Sequence, residues 1–302
     1  MELVEKINRL KKERNAVILA HNYQLPEVQD VADYVGDSLG LSVQASKTSA
    51  DVIVFCGVYF MAETAKILSP DKTVLLPDKN AGCPMADMMT AEELRALKAE
   101  HPQAKVLCYV NTTAAVKAEC DVCCTSGNAE KIVREAFRED DEIIFVPDQY
   151  LADCIAKRVG RKFILWKGFC PTHVRILPDD IAQKRALYKN AEVLVHPECP
   201  ASIISIADQV LSTEGMCRYV KESNGREFII GTEIGILHRM QKENPGKIFY
   251  PAAPRATCPN MKLTTLEKVL WSLEEMGFEV AVPRDIMQKA KTCLQRMTDY
   301  KP

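Results

Sequence analysis

The sequence has no block of like charge. Its 39 Lys and Arg against 41 Asp and Glu leave a net charge of −2, without the basic footprint that a nucleic acid or a membrane surface needs. It also lacks a long apolar stretch. The longest nearly unbroken one, residues 52–62, runs eleven residues, where a bilayer span takes about 20. The opening MELVEKINRLKKERN reads as a charged amphipathic helix with no signal-peptide core. These absences predict a cytoplasmic protein with no nucleic-acid partner and no membrane attachment. Gly/Ser linkers are missing too, so domains should pack tightly.

Cysteine is plentiful, with 12 in 302 residues. A reducing cytosol disfavours a disulfide framework, which leaves buried small hydrophobes or ligands of a soft metal centre. The densest stretch, ECDVCCTSGN, holds Cys120, Cys123 and Cys124 and looks at first like the metal site.

The chain repeats itself three times, and that argues otherwise. The strands AVILAHNY (16–23), KVLCYVNT (105–112) and EVLVHPEC (192–199) place His21, Tyr109 and His196 at matching positions, 88 and 87 residues apart. Ser38, Ser126 and Thr213 open helical patterns at the same two offsets. Second strands (51–56, 142–147, 227–232) and third strands (73–78, 162–167, 247–252) follow in each copy. Each copy then ends in a Cys-Pro pair, at Cys83, Cys170 and Cys258. Helical patterns such as 90–100 and 265–276 alternate with the strands, the signature of βαβ units and parallel sheets. The predicted fold is α/β: three similar three-layer αβα domains with short parallel sheets around a pseudo-threefold axis, the active site at their central interface. The boundaries are read as 1–103, onto which the C-terminal helix packs back, then 104–190, then 191–302 including that helix.

Ligands of parallel α/β sheets bind beyond the carboxyl ends of the strands, where all these periodic residues fall. Three thiolates from three domains suit a [4Fe–4S] cluster with one open iron; zinc held by thiolates and a histidine is the other soft-metal option. A fourth pair, Cys199-Pro200, lies outside the period and receives no metal role. The hydroxyl residues read as N-caps, at helix starts that also attract anions. His21, Tyr23, Tyr109, His196 and Glu198 in one cavity look like acid–base equipment. His173 is a further candidate to face the site, while His101 and His238 read as surface residues. Cys120 and Cys124, four apart, suggest a short helical turn beside the substrate wall.

The stretches HNYQLPEVQDVADYVGDSL, YVNTTAAVKAECDVCCTSGNA and VHPECP, with the three periodic Cys-Pro pairs, resemble the quinolinate synthases. The resemblance runs from about Val17 to Pro259. It implies an iron–sulfur-dependent transferase that condenses iminoaspartate (iminosuccinate) with dihydroxyacetone phosphate to quinolinate, phosphate and water, in de novo NAD biosynthesis. It also implies three α/β domains about a pseudo-threefold axis, a [4Fe–4S] cluster on Cys83, Cys170 and Cys258, and coupling to an iminoaspartate-producing enzyme. It assigns substrate binding to His21, Ser38, Tyr109, Asn111, Ser126, His196, Glu198 and Thr213, and catalysis to Tyr23, Tyr109, Glu198 and His196. Some members carry a Cys-x-x-Cys-x-x-Cys near the C-terminus; this chain has only Cys293 there, so a redox switch on that motif should be absent. Two alternatives stand beside this reading: another cluster-dependent hydro-lyase, and a non-catalytic protein with structural zinc.

Overall fold

Short runs of β-branched and apolar residues, bounded by polar turns, form twelve strands in the computed structural model, which describes residues 2–300. The outermost residues of the first and third expected domains, 1, 301 and 302, lie outside that range. The first sheet holds β1 (Ala16–His21), β2 (Tyr34–Gly36), β3 (Val52–Cys56) and β4 (Thr73–Leu75). The second holds β5 (Lys105–Tyr109), β6 (Val122–Cys124), β7 (Ile143–Val146) and β8 (Ile164–Leu165). The third holds β9 (Glu192–Val195), β10 (Gln209–Val210), β11 (Glu227–Gly231) and β12 (Ile248–Pro251).

All three share one order, β2-β1-β3-β4, β6-β5-β7-β8 and β10-β9-β11-β12, and every strand pair is parallel. The fold is thus α/β with three like domains, as the repeats predicted. Parallel strands covered by helices on both faces lack hydrophobic alternation, and β3 and β7 are buried along their whole length.

The cores are unequal. One continuous cluster joins the first two sheets: Ile53 and Phe55 pack with Val106, Phe145 and Ala290, Leu294 of the helix Arg284–Asp299. That helix lies against β6 and against the helices Ala114–Lys117 and Tyr59–Leu68. The other face of the first sheet is closed by the N-terminal helix Glu2–Glu13 and the helix Leu266–Glu275, through Ile7, Val269 and Leu273. The third sheet keeps a cluster on each face. The site forms where it meets the other two.

Two local expectations change. Cys124 belongs to a strand, because Cys108↔Cys123 and Tyr109↔Cys124 are parallel register partners of β5 and β6. Cys120 sits in the turn before it. The hydroxyl residues do not cap their helices either. Asp37 and Ser212 are the N-caps, accepting from Gly40 and Gly215, so Ser38 and Thr213 occupy the first helical position. Ser126 precedes the helix Ala129–Ala136, whose N-cap is Asn128.

Candidate active site

One cavity lies where the carboxyl ends of β1, β5 and β9 converge. Every residue assigned to the site by the repeat or the resemblance lines it, namely His21, Tyr23, Ser38, Cys83, Tyr109, Asn111, Ser126, Cys170, His196, Glu198, Thr213 and Cys258, and so does the further candidate His173. Sheet topology explains the convergence, since the first strand of each copy ends on the same side and hands its polar residues to the same space.

His21 and His196 are built alike. Nδ1 of His21 accepts the Tyr23 N–H at 3.2 Å, and Nδ1 of His196 accepts the Glu198 N–H at 3.3 Å. An accepting Nδ1 leaves the proton of the neutral ring on Nε2, so His196 donates to Ser126 Oγ at 3.0 Å. Burial, aided by the Lys262 charge at His21, holds both imidazoles down to about 3 and keeps them neutral.

Glu198 is the centre of the polar network. Tyr109 donates to its Oε1 at 2.5 Å, and its Oε2 lies 2.7 Å from His173 Nδ1. That second contact is close but off the ring's N–H line, so it counts as a contact rather than an aligned hydrogen bond. Burial opposes ionisation of Glu198; the neighbouring His173 and His196 and the Tyr109 hydroxyl outweigh it and hold the carboxyl down to about 2. The carboxylate therefore stays charged at any working pH. Burial, with the Glu198 charge, pushes the Tyr23 and Tyr109 phenols up, so both remain donors.

The network continues through His173, the further candidate, to Thr232, a residue not named from the sequence. His173 Nε2 bonds Thr232 Oγ1 at 2.8 Å, and Thr232 Oγ1 bonds the Tyr23 hydroxyl at 2.6 Å. Tyr23, Thr232 and His173 are thus hydrogen-bonded in series, and His173 in turn lies against the Glu198–Tyr109 pair, so the five residues line up across all three sheets. Thr232 was findable as the polar residue ending the second strand of the third copy. His101 and His238 stand apart from this network, His238 in an ion pair with Asp30 at 2.9 Å.

The three Cys-Pro pairs share a construction. Each opens a short 3-10 turn, at Ala86–Met88, His173–Arg175 and Asn260–Lys262. In each, the amide three residues on, of Ala86, His173 or Met261, points at the sulfur. Amides aimed at sulfur favour a thiolate, and three such sulfurs from three domains are a donor set that fits a soft metal centre. Burial pushes all three thiols up, Cys83 to about 12; metal coordination removes the proton outright. Around one zinc ion, thiolates bound at about 2.3 Å stand about 3.8 Å apart. Cys83, Cys170 and Cys258 are not gathered that closely, whereas Cys170, His173 and Glu198 bring their ligand atoms within 4.8 Å. The three sulfurs are therefore not set as the ligands of a single ion. The Cys258 loop is fixed by Glu233, which accepts the Cys258 N–H at 3.1 Å and pairs with Lys262 at 2.9 Å. Lys262 also donates to the Tyr23 carbonyl.

The stretch 119–128 contributes Thr125 and Ser126 to the wall, while Cys120, Cys123 and Cys124 turn into the core. Asn111 Oδ1 is buried without a partner, free to meet a ligand.

Comparison with known proteins agrees with this geometry. The family model described as Quinolinate synthetase A protein matches residues 5–299. A quinolinate synthase of Dehalococcoides mccartyi (strain CBDB1) is 54% identical over 292 residues, 97% of this chain and 96% of the relative. One of Thermodesulfovibrio yellowstonii is 55% identical over 295 residues, 97% of each. One of Methanosarcina barkeri is 52% identical over 300 residues, 99% of this chain and 98% of the relative.

Proposed function

The chain belongs to the quinolinate synthase family, and on that premise we propose that it condenses iminoaspartate with dihydroxyacetone phosphate to give quinolinate, phosphate and water, in NAD biosynthesis in the cytoplasm. The observation that carries the reading is that acid–base groups and three amide-capped cysteines from three domains line one cavity. The proposal includes the domain division at 103/104 and 190/191, supported by sheets at residues 16–75, 105–165 and 192–251.

Iminoaspartate brings two carboxylates. Ser38 and Thr213 lie in the first turns of helices whose free N–H groups and dipoles favour anions. With Ser126 Oγ, His21, His196 and the Asn111 Nδ2 amide they offer hydrogen bonds to both carboxylates. Glu198 is the proposed base, for enolising the triose or removing a proton at ring closure. A carboxylate held so low is a weak base alone; the proton it takes passes on to the His173 ring that lies against its Oε2. Tyr23, through Thr232 and His173, supplies or collects a proton at the opposite wall. A [4Fe–4S] centre on Cys83, Cys170 and Cys258 would supply a Lewis-acidic iron for the final loss of water. Delivery of iminoaspartate by the enzyme that makes it belongs to the same proposal.

The test is an anaerobic assay with both substrates, run alongside iron and sulfide analysis. Quinolinate formed by a brown, air-sensitive protein is the expected result. A colourless zinc protein, or an iron-loaded one that makes no quinolinate, would overturn the reading.

A further inference from the structure

A second set of sulfurs converges behind β5 and β6, on the side of the sheet away from the cavity residues. Cys108 and Cys123 are register partners on neighbouring strands. Cys293 reaches them from the helix Arg284–Asp299, with Cys108 Sγ and Cys293 Sγ 3.8 Å apart. The three sulfurs lie within 4.8 Å of one another and are buried. Cys120 stands beside Cys108 as a fourth, its own Sγ 3.0 Å from the Val116 carbonyl. Thiolates on one tetrahedral ion, bound at about 2.3 Å, stand about 3.8 Å apart. The spacing is that of a single-ion site, tighter than the set in the cavity.

A second observation points the same way. Lys117 is wholly buried. Its Nζ donates to the Thr112 carbonyl and lies 5.3 Å from the Phe60 ring centroid. Among the described residues no carboxylate comes within 4 Å of it; Glu63 feels its charge from farther off and is itself raised towards neutrality by burial. A buried ammonium needs a negative partner. The Lys117 charge acts on Cys108, Cys120 and Cys123 and favours their thiolates. Four thiolates around a divalent cation leave two negative charges, and Lys117 is placed to answer one of them.

We propose that Cys108, Cys123 and Cys293, with Cys120 as fourth ligand, bind one soft divalent ion of the zinc class, tying the C-terminal helix to the second sheet. None of these four cysteines lines the active-site cavity, and four protein ligands leave no open position, so the role is structural. It does not depend on the function proposed for the cavity, because it shares no residue with it.

The test uses the holoprotein purified anaerobically from zinc-supplemented cultures. Elemental analysis should find about one zinc per chain besides the iron. Cys293→Ala should lose the zinc and keep the iron; Cys83→Ser should lose iron and keep the zinc. Far-UV circular dichroism of Cys293→Ala establishes that it has folded. A measurement without substitution backs it: growth in cobalt should give the wild-type protein the visible ligand-field bands of tetrahedral thiolate cobalt. Iron-replete wild-type protein with neither zinc nor cobalt bands would show that these thiols merely pack. Zinc retained in Cys293→Ala, or zinc lost in Cys83→Ser with iron, would place the ion elsewhere. Either result overturns the proposal.

Discussion

The Tyr109 hydroxyl bonds Glu198 across the boundary between the second and third sheets, at 2.5 Å. Neither residue is near the other in sequence, and both are buried, so the bond exists only when the domains are closed on each other. Tyr109→Phe removes the donor and keeps the ring's packing. A hydrogen bond to a charged group contributes about 1.5–3 kcal/mol to stability, so the unfolding midpoint should fall, and a comparable loss in positioning Glu198 would lower kcat roughly 10- to 100-fold. Glu198→Gln keeps the shape and loses the base; it should cost about 100-fold or more. Steady-state kinetics of the two variants, with iron content measured in parallel, check this. Equal and small effects would mean that Glu198 is not the base.

The cysteines divide by construction. Cys83, Cys170 and Cys258 each open a turn whose amide faces the sulfur, whereas Cys124 packs in the core against β5. Cys83→Ser, Cys170→Ser and Cys258→Ser should each purify with little iron and sulfide and no activity. Cys120→Ser and Cys124→Ser should keep the iron. Anaerobic iron and sulfide determination decides, and loss of iron from the second pair alone would reverse the assignment.

Much of this site was legible because the repeat imposed it. A single Cys-Pro or a single strand-end histidine carries little information, but three at spacings of 87 and 88 residues can only face one axis. The parts that were not legible lack such a copy. The edge strands β2, β6 and β10 are two or three residues long, too short for a hydrophobic pattern, and so Cys124 read as helical. Capping by Asp37 and Ser212 instead of the next residue depends on one backbone turn. Thr232 and Glu233 act through His173 and Cys258, contacts that only the packed domains create. Cys108 and Cys293 are 185 residues apart, and nothing in their local sequence joins them.

Asp37 gives a pH prediction with a definite sign. Burial raises its carboxyl from 3.8 to about 6; the Gly40 amide opposes the rise and Glu214 adds to it. The folded state therefore holds this proton more tightly than the unfolded chain. Its stabilising contribution is complete below about pH 3.8 and is lost as pH rises through about 6. A shift near two units corresponds to about 3 kcal/mol. Asparagine caps a helix as well as aspartate and carries no charge. Asp37→Asn should thus be more stable than wild type at pH 8 and indistinguishable at pH 4, in denaturant titrations at both values. An equal difference at the two pH values would show that the effect is not the proton's.

Gly168 and Gly82 each precede a cavity cysteine, but only Gly168 has no room for a side chain. A Cβ on Gly168 would sit well inside contact distance of the Pro147 carbonyl oxygen, while one on Gly82 would meet nothing within 4 Å. The Gly168 carbonyl also accepts the Gln149 N–H at 2.9 Å, which fixes this segment to the end of β7, two residues before Cys170. The backbone cannot yield without moving that cysteine. Gly168→Ala should cost about 1–3 kcal/mol, the usual range for overpacking, and should lower the iron content. Gly82→Ala, next to Cys83, should leave both stability and iron near wild type. Denaturant midpoints and iron analysis of the pair test whether the rigid approach of Gly168 to Pro147 is what holds Cys170 in place. Iron loss in Gly82→Ala with none in Gly168→Ala would refute it.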